Sequence, residues 1–173
     1  MSLDHLWAAW RAAYIESVAS GVEEVPAEGS VFAALLASGR PDRETTIVHR
    51  GPRCFAILNR YPYTNGHMLV LPNRCVPDVT DLDDDEHAEL WSTVRDAVVA
   101  VRSAYSCDGV NIGVNLGRAA GAGIPRHVHV HVVPRWEGDT NFMTAVAEAR
   151  VMPEGLDRSW EKLREAWPRP AST

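Results

Sequence analysis

His127-Val128-His129-Val130-His131-Val132-Val133-Pro134-Arg135-Trp136 alternates imidazole with valine until Val133. A period of two is that of a β-strand, so His127, His129 and His131 are expected on one face and Val128, Val130 and Val132 on the other. One face then belongs to a core, and the other is available for chemistry. At about 3.3 Å per residue, His127 and His131 stand about 13 Å apart along such a strand, too far for all three imidazoles to ligate one metal ion.

Immediately upstream lies a glycine-rich loop, Gly117-Arg118-Ala119-Ala120-Gly121-Ala122-Gly123, running on to Pro125. Glycines separated by small residues let backbone N–H groups turn inward as an anion-binding nest. Before the loop, residues 109–116 alternate again, with Asn111, Gly113 and Asn115 opposite Val110, Ile112 and Val114. Gly138-Asp139-Thr140 closes the histidine segment with a turn.

Further upstream, residues 45–49 and 54–58 read as two strands around a Gly51-Pro52 turn, and residues 67–71 as a third, closed by Pro72. Asn59-Arg60-Tyr61-Pro62-Tyr63-Thr64-Asn65-Gly66 connects the second to the third and places His67 at a strand mouth. Asp83 and Glu86 have capping-box spacing at the start of a helix whose buried stripe is Leu90, Val94, Val98 and Val101. Helices are also expected over residues 3–18, 30–38 and 156–167. The order of elements implies an α+β domain, an antiparallel sheet of about five strands with helices packed on one face. One domain is expected over residues 1–173, with a core at about 45–141, an N-terminal helix and a C-terminal helical extension.

The 173 residues carry 17 basic and 23 acidic side chains, a formal net charge of −6, and all but one of the basic residues are arginine. That balance argues against binding long nucleic acid through a general basic field, so attraction for a phosphate compound must be local. The odd set of Cys54, Cys75 and Cys107 fits a reducing compartment. With neither a signal-like N-terminus nor an apolar run of membrane-spanning length, a cytoplasmic protein without membrane contact is expected.

The histidine segment admits three chemistries. It can be the solvated face of an edge strand. Two imidazoles at i and i+2, about 6.6 Å apart, can chelate zinc or iron with a third ligand drawn from His67, His49, Cys75 or an acidic residue. Alternatively, a neutral imidazole, with an ordinary pKa of about 6.5, can attack phosphorus and form a labile phosphoramidate.

The run from His127 to Val133 resembles the signature of the histidine triad family of nucleotide hydrolases and transferases. Asn59 with Gly66-His67-Met68-Leu69-Val70-Leu71-Pro72, and Asn115 ahead of the glycine loop, look like that family's nucleotide-contact positions. Tyr61-Pro62-Tyr63 and Pro134-Arg135-Trp136 resemble its actinobacterial branch, which includes diadenosine tetraphosphate phosphorylases. His131, where the related uridylyltransferases carry Gln, points away from those. The resemblance implies that His129 is the nucleophile, that His131 contacts the α-phosphate and leaving oxygen, and that His127 and His67 fix the orientation and tautomer of the working rings. It implies that Asn59 contacts ribose and that Asn115, Gly121, Ala122 and Gly123 contact phosphate. A dinucleoside polyphosphate substrate, inorganic phosphate as a second reactant, and a homodimer follow from the same resemblance. A nucleotide-binding module with little turnover, or a His-ligated metalloprotein, are the alternatives.

Two departures from the family pattern stand out. Gly123 stands where many members carry Gln or Ser, leaving only a backbone donor. Ser30, Ala33 and Cys75 match positions that supply zinc ligands, together with the first triad histidine, in many bacterial relatives. With all three changed, no zinc and no cofactor are expected.

Overall fold

The computed structural model describes residues 29–139 and 154–169. The helix expected over residues 3–18 lies outside them, as does the chain just beyond Asp139. In order, the elements are α1 (Val31–Ala37), a short α2 (Asp42–Thr45), β1 (Ile47–Arg50), β2 (Cys54–Leu58), β3 (Met68–Pro72), α3 (Asp84–Tyr105), β4 (Gly109–Val114), β5 (Val130–Arg135) and α4 (Leu156–Ala166). Single 3-10 turns occur at Val79–Asp81 and Arg118–Ala120.

All strand pairs are antiparallel, in the spatial order β1-β2-β3-β5-β4. The three consecutive strands β1 to β3 are joined by connections short enough for hairpins, whereas α3 carries the chain across to β4. β5 then returns between β3 and β4. β4 is therefore left at an edge, with Ile112 exposed there.

Alternation along the central strands sends side chains to two different cores. Cys54, Ala56, Leu58, Met68, Val70, Val130 and Val132 share one with Leu90, Val94, Ala97 and Val101 of α3 and Leu163 of α4. Phe55, Ile57, Leu69 and Leu71 point the other way, where Phe32 of α1 packs on them. The two long helices thus lie on one face as the sequence implies, and the short α1 adds a cover to the opposite face. At the far edge, Trp160 Nε1 and Arg164 Nη1 of α4 donate to the Ile47 and Val48 carbonyls of β1, at 2.8 and 2.6 Å.

The first strand begins later than the sequence implies. Thr45 instead closes α2, where its hydroxyl donates to main-chain oxygens of Pro41 and Asp42, and Thr46 takes a left-handed φ of 59° before β1 starts. Local side-chain bonds of this kind compete with the ladder for a threonine.

At the start of α3 the capping box is complete. Asp83 accepts from the Glu86 amide at 2.8 Å, and the Glu86 carboxylate accepts from the Asp83 amide at 3.1 Å. Two further bonds reach Glu86 from Arg74, at 2.9 and 2.7 Å. The Arg74 guanidinium, helped by the Asp83 amide and opposed by burial, holds the Glu86 carboxyl down at about 2. A carboxyl depressed in the folded state contributes stability above its unfolded value, and this is lost as pH falls towards the folded one. Between about pH 5 and about pH 2.5, the urea midpoint of the wild type should therefore fall more steeply than that of Glu86→Gln. Parallel curves for the two proteins would contradict this.

Candidate active site

The alternation of the histidine segment survives in the structure, but the strand is shorter than expected. β5 begins at Val130, and the Val128 amide donates to the Val76 carbonyl at 2.7 Å instead of continuing the ladder. Nor is the imidazole face open. His127 is fully buried and His129 is 6% exposed, because Phe32 of α1 sets its ring 5.9 and 5.7 Å from theirs. The reading of these histidines as a solvated strand face is thereby overturned.

Each ring is held by a bond whose direction is fixed. A carbonyl can only accept, so His129 Nδ1, 2.8 Å from the His127 carbonyl, carries the proton and Nε2 keeps its lone pair. His127 Nε2 donates likewise to the Pro72 carbonyl at 2.8 Å, leaving Nδ1 as an acceptor 2.6 Å from Ser30 Oγ. Burial lowers the pKa of both rings below the ordinary 6.5, and their carbonyl bonds oppose that shift. Both are thus neutral near pH 7. A buried ring nitrogen deprived of such a partner costs about 1–3 kcal/mol, enough to enforce one tautomer.

The second pair is built on the loop between β2 and β3. The Tyr63 amide donates to His67 Nδ1 at 3.1 Å, so the proton of His67 sits on Nε2. That nitrogen lies 3.0 Å from His131 Nδ1, which must accept, and this places the proton of His131 on its own Nε2. Tyr63 also lies flat against His131, with centroids 5.9 Å apart and planes at 14°. Gly66 makes this loop possible. Its φ is +76°, and a Cβ there would run into the Tyr105 ring.

The rings of His129 and His131 are 5.0 Å apart. A ring with a free nitrogen lone pair therefore neighbours a ring that carries an N–H donor, a combination of groups suited to attack at one atom and donation to its neighbour.

The remaining expected residues are placed less uniformly. Asn59 sits at the mouth of the loop, with Oδ1 accepting from the Tyr61 amide at 3.0 Å and Nδ2 3.4 Å from His67 Nδ1. Asn115 directly follows Val114, the residue paired with Val130, and so lies at the His129 end of β4. The nest expectation is narrowed. As the loop stands, the Gly121 amide donates to the Arg118 carbonyl at 2.9 Å and the Ala122 amide to the Gly117 carbonyl at 3.2 Å. These bonds close the loop on itself, and Gly123 supplies neither of them.

The groups around His127 do not suit zinc. Its Nδ1 meets a serine hydroxyl, Ala33 offers only its amide to the same hydroxyl at 3.1 Å, and the Cys75 thiol donates to the Arg126 carbonyl at 3.3 Å. Among the described residues, no group of three or more His, Cys, Asp or Glu could hold a metal ion. His67 and His131 bond each other directly, and His49 lies elsewhere, stacked on Trp167 at 4.8 Å.

Ser30, Phe32 and Tyr63 complete the arrangement, and no local signal marks any of them for this part. Ser30 could be placed at a helix start, but its partner is 97 residues away.

The HIT domain family model matches residues 40–138, and the chain belongs to that family. Among curated relatives, the AP-4-A phosphorylase of Mycobacterium tuberculosis is 41% identical over 128 residues, covering 74% of this chain and 66% of that protein, just under two thirds of it. The bis(5'-adenosyl)-triphosphatase of Dictyostelium discoideum is 34% identical over 123 residues, covering 71% and 81%. A zinc-bound histidine triad family protein from Mycobacterium smegmatis has a similar structure, with a TM-score of 0.64, 32% identity and coverage of 79% and 91%.

Because burial depresses the His129 pKa, the ring should take up its proton only below pH 6.5. A folded-state pKa below the unfolded one also means that this ring leaves folding unaffected at higher pH, where it is neutral in both states, and opposes it as pH falls through the unfolded value. NMR titration of histidine-labelled protein should give a His129 midpoint under 6.5, moving back upward in Phe32→Ala as water gains access. A wild-type midpoint at or above 6.5 would contradict this.

Proposed function

We propose that this protein is an enzyme that cleaves dinucleoside polyphosphates such as diadenosine tetraphosphate, with His129 as nucleophile and inorganic phosphate favoured over water as final acceptor. The observation that carries the reading is the bond from His129 Nδ1 to the His127 carbonyl, because it leaves Nε2 as a fixed lone pair in a buried, neutral ring. That lone pair attacks the α-phosphorus, the bond from phosphorus to the bridging oxygen breaks, and its electrons leave with the remaining polyphosphate. His131 Nε2–H donates to that oxygen. As phosphorus bonds to Nε2 the ring becomes cationic, and its Nδ1–H bond to the carbonyl strengthens. The acceptor then displaces His129 and releases the nucleotide.

His127 and His67 position the two working rings, and Asn59, Asn115 and Gly123 contact the nucleotide. The names of the phosphorylase and triphosphatase relatives support the substrate class. A homodimer is part of the same reading, supported by the β4 edge with Ile112 exposed on it. A cytoplasmic location is supported by cysteines that are all free. No helix of the described residues is long and apolar enough to cross a membrane.

A second reading, a nucleotide-binding module with little turnover, is favoured by the loop amides already consumed at Gly121 and Ala122.

Product analysis on diadenosine tetraphosphate separates these readings. ATP plus ADP, formed only when phosphate is present, is the expected result, whereas ATP plus AMP means that water is the acceptor. His129→Ala should lower turnover by about a thousandfold or more. Full activity in that variant would sink the mechanism, and tight nucleotide binding without turnover in the wild type would favour the binding module.

A further inference from the structure

We propose that Ser30 is a positioning residue for the nucleophile, its hydroxyl holding the His127 ring in one tautomer and thereby fixing the carbonyl that orients His129. This rests on His129 being the nucleophile. Ser30 Oγ lies 2.6 Å from His127 Nδ1, and both residues are buried, at 1% and 0% exposure. The Pro72 carbonyl takes the Nε2 proton, so Nδ1 needs a donor, and the serine hydroxyl provides it.

The ring has no comparable alternative. Phe32 and Phe55 meet it edge-on at 5.9 and 6.5 Å, and turning it by half a revolution would set carbon atoms against both the hydroxyl and the carbonyl. With the ring pinned at both ends, residue 127 is fixed, and its own carbonyl faces His129 Nδ1 at 2.8 Å. The same serine oxygen accepts from the Ala33 amide at 3.1 Å as the N-cap of α1. One hydroxyl thus ties the helix carrying Phe32 to the histidines that Phe32 covers. A carboxylate could cap the helix but could not donate, and a thiol donates weakly; a hydroxyl does both.

The competing possibility is that Ser30 is only a helix cap. Glycine caps nearly as well as serine but has no hydroxyl, whereas threonine keeps it. Wild type, Ser30→Gly and Ser30→Thr would be compared by imidazole nitrogen NMR, thermal unfolding and steady-state kinetics on diadenosine tetraphosphate with phosphate. The wild type should show His127 protonated on Nε2 with Nδ1 accepting, and Ser30→Thr should retain that pattern. Ser30→Gly should lose it, with kcat down roughly tenfold or more and KM within about twofold. Wild-type nitrogen signals and kcat in Ser30→Gly, or a folded Ser30→Thr that behaves like Ser30→Gly, would overturn the proposal. Should Ser30→Gly not fold, a wild-type His127 carrying its proton on Nδ1 overturns it alone. If the wild type does not turn over, the enzymatic reading fails while the nitrogen signals still decide the role of Ser30 on the ring.

Discussion

The hydrogen bond from His129 Nδ1 to the His127 carbonyl, across only two residues, decides which nitrogen faces outward from the buried histidine. A regular ladder would turn the carbonyls of neighbouring residues towards adjacent strands. Here the ladder starts at Val130, and the preceding three residues are held by other means, with Val128 bonded to Val76 and His127 to Pro72. Ending β3 at Pro72 is part of this arrangement, because its carbonyl is then taken by an imidazole. The irregular entry into β5 is what lets a main-chain oxygen set a side-chain tautomer.

Burial and neutrality belong together in this site. Desolvation disfavours the charged imidazole, and the coverage by Phe32 therefore keeps the nitrogen lone pair of His129 available near pH 7. The cost of burying these ring nitrogens is offset by partners of fixed polarity: the Pro72 carbonyl and Ser30 hydroxyl for His127, the His127 carbonyl for His129 Nδ1, the Tyr63 amide for His67 Nδ1, and the bond between His67 Nε2 and His131 Nδ1. Small α1 thus has a larger effect than its seven residues imply, since it brings both the apolar cover and the hydroxyl.

Legibility in the sequence followed the range of the interaction. Asp83 and Glu86 form their box within one helical turn, and Leu90, Val94 and Val101 are buried as their spacing implies, because both signals are local. β2 and β3 were equally readable from short apolar runs bounded by turn residues. The histidine face was readable as a face, but its burial was not, because the cover comes from Phe32, about a hundred residues earlier in the chain. Thr45 deceived for a local reason, its hydroxyl preferring helix carbonyls to the strand. Gly121 and Ala122 show the reverse limit. Composition indicates that a loop can form a nest, but not that its amides are spent on its own carbonyls.

A net charge of −6 is unfavourable for a polyanionic ligand at long range, and the buried rings of His127 and His129 add no charge near pH 7. That combination is coherent for the proposed reaction. A fixed positive charge would bind the ground-state polyphosphate as well as the transition state, and uniform binding does not lower the chemical barrier. In the reaction we propose, the positive charge on His129 arises only as Nε2 bonds to phosphorus, with Nδ1 already facing the His127 carbonyl. The stabilisation is therefore greatest where charge develops, and it depends on an oxygen whose position is set before the substrate arrives.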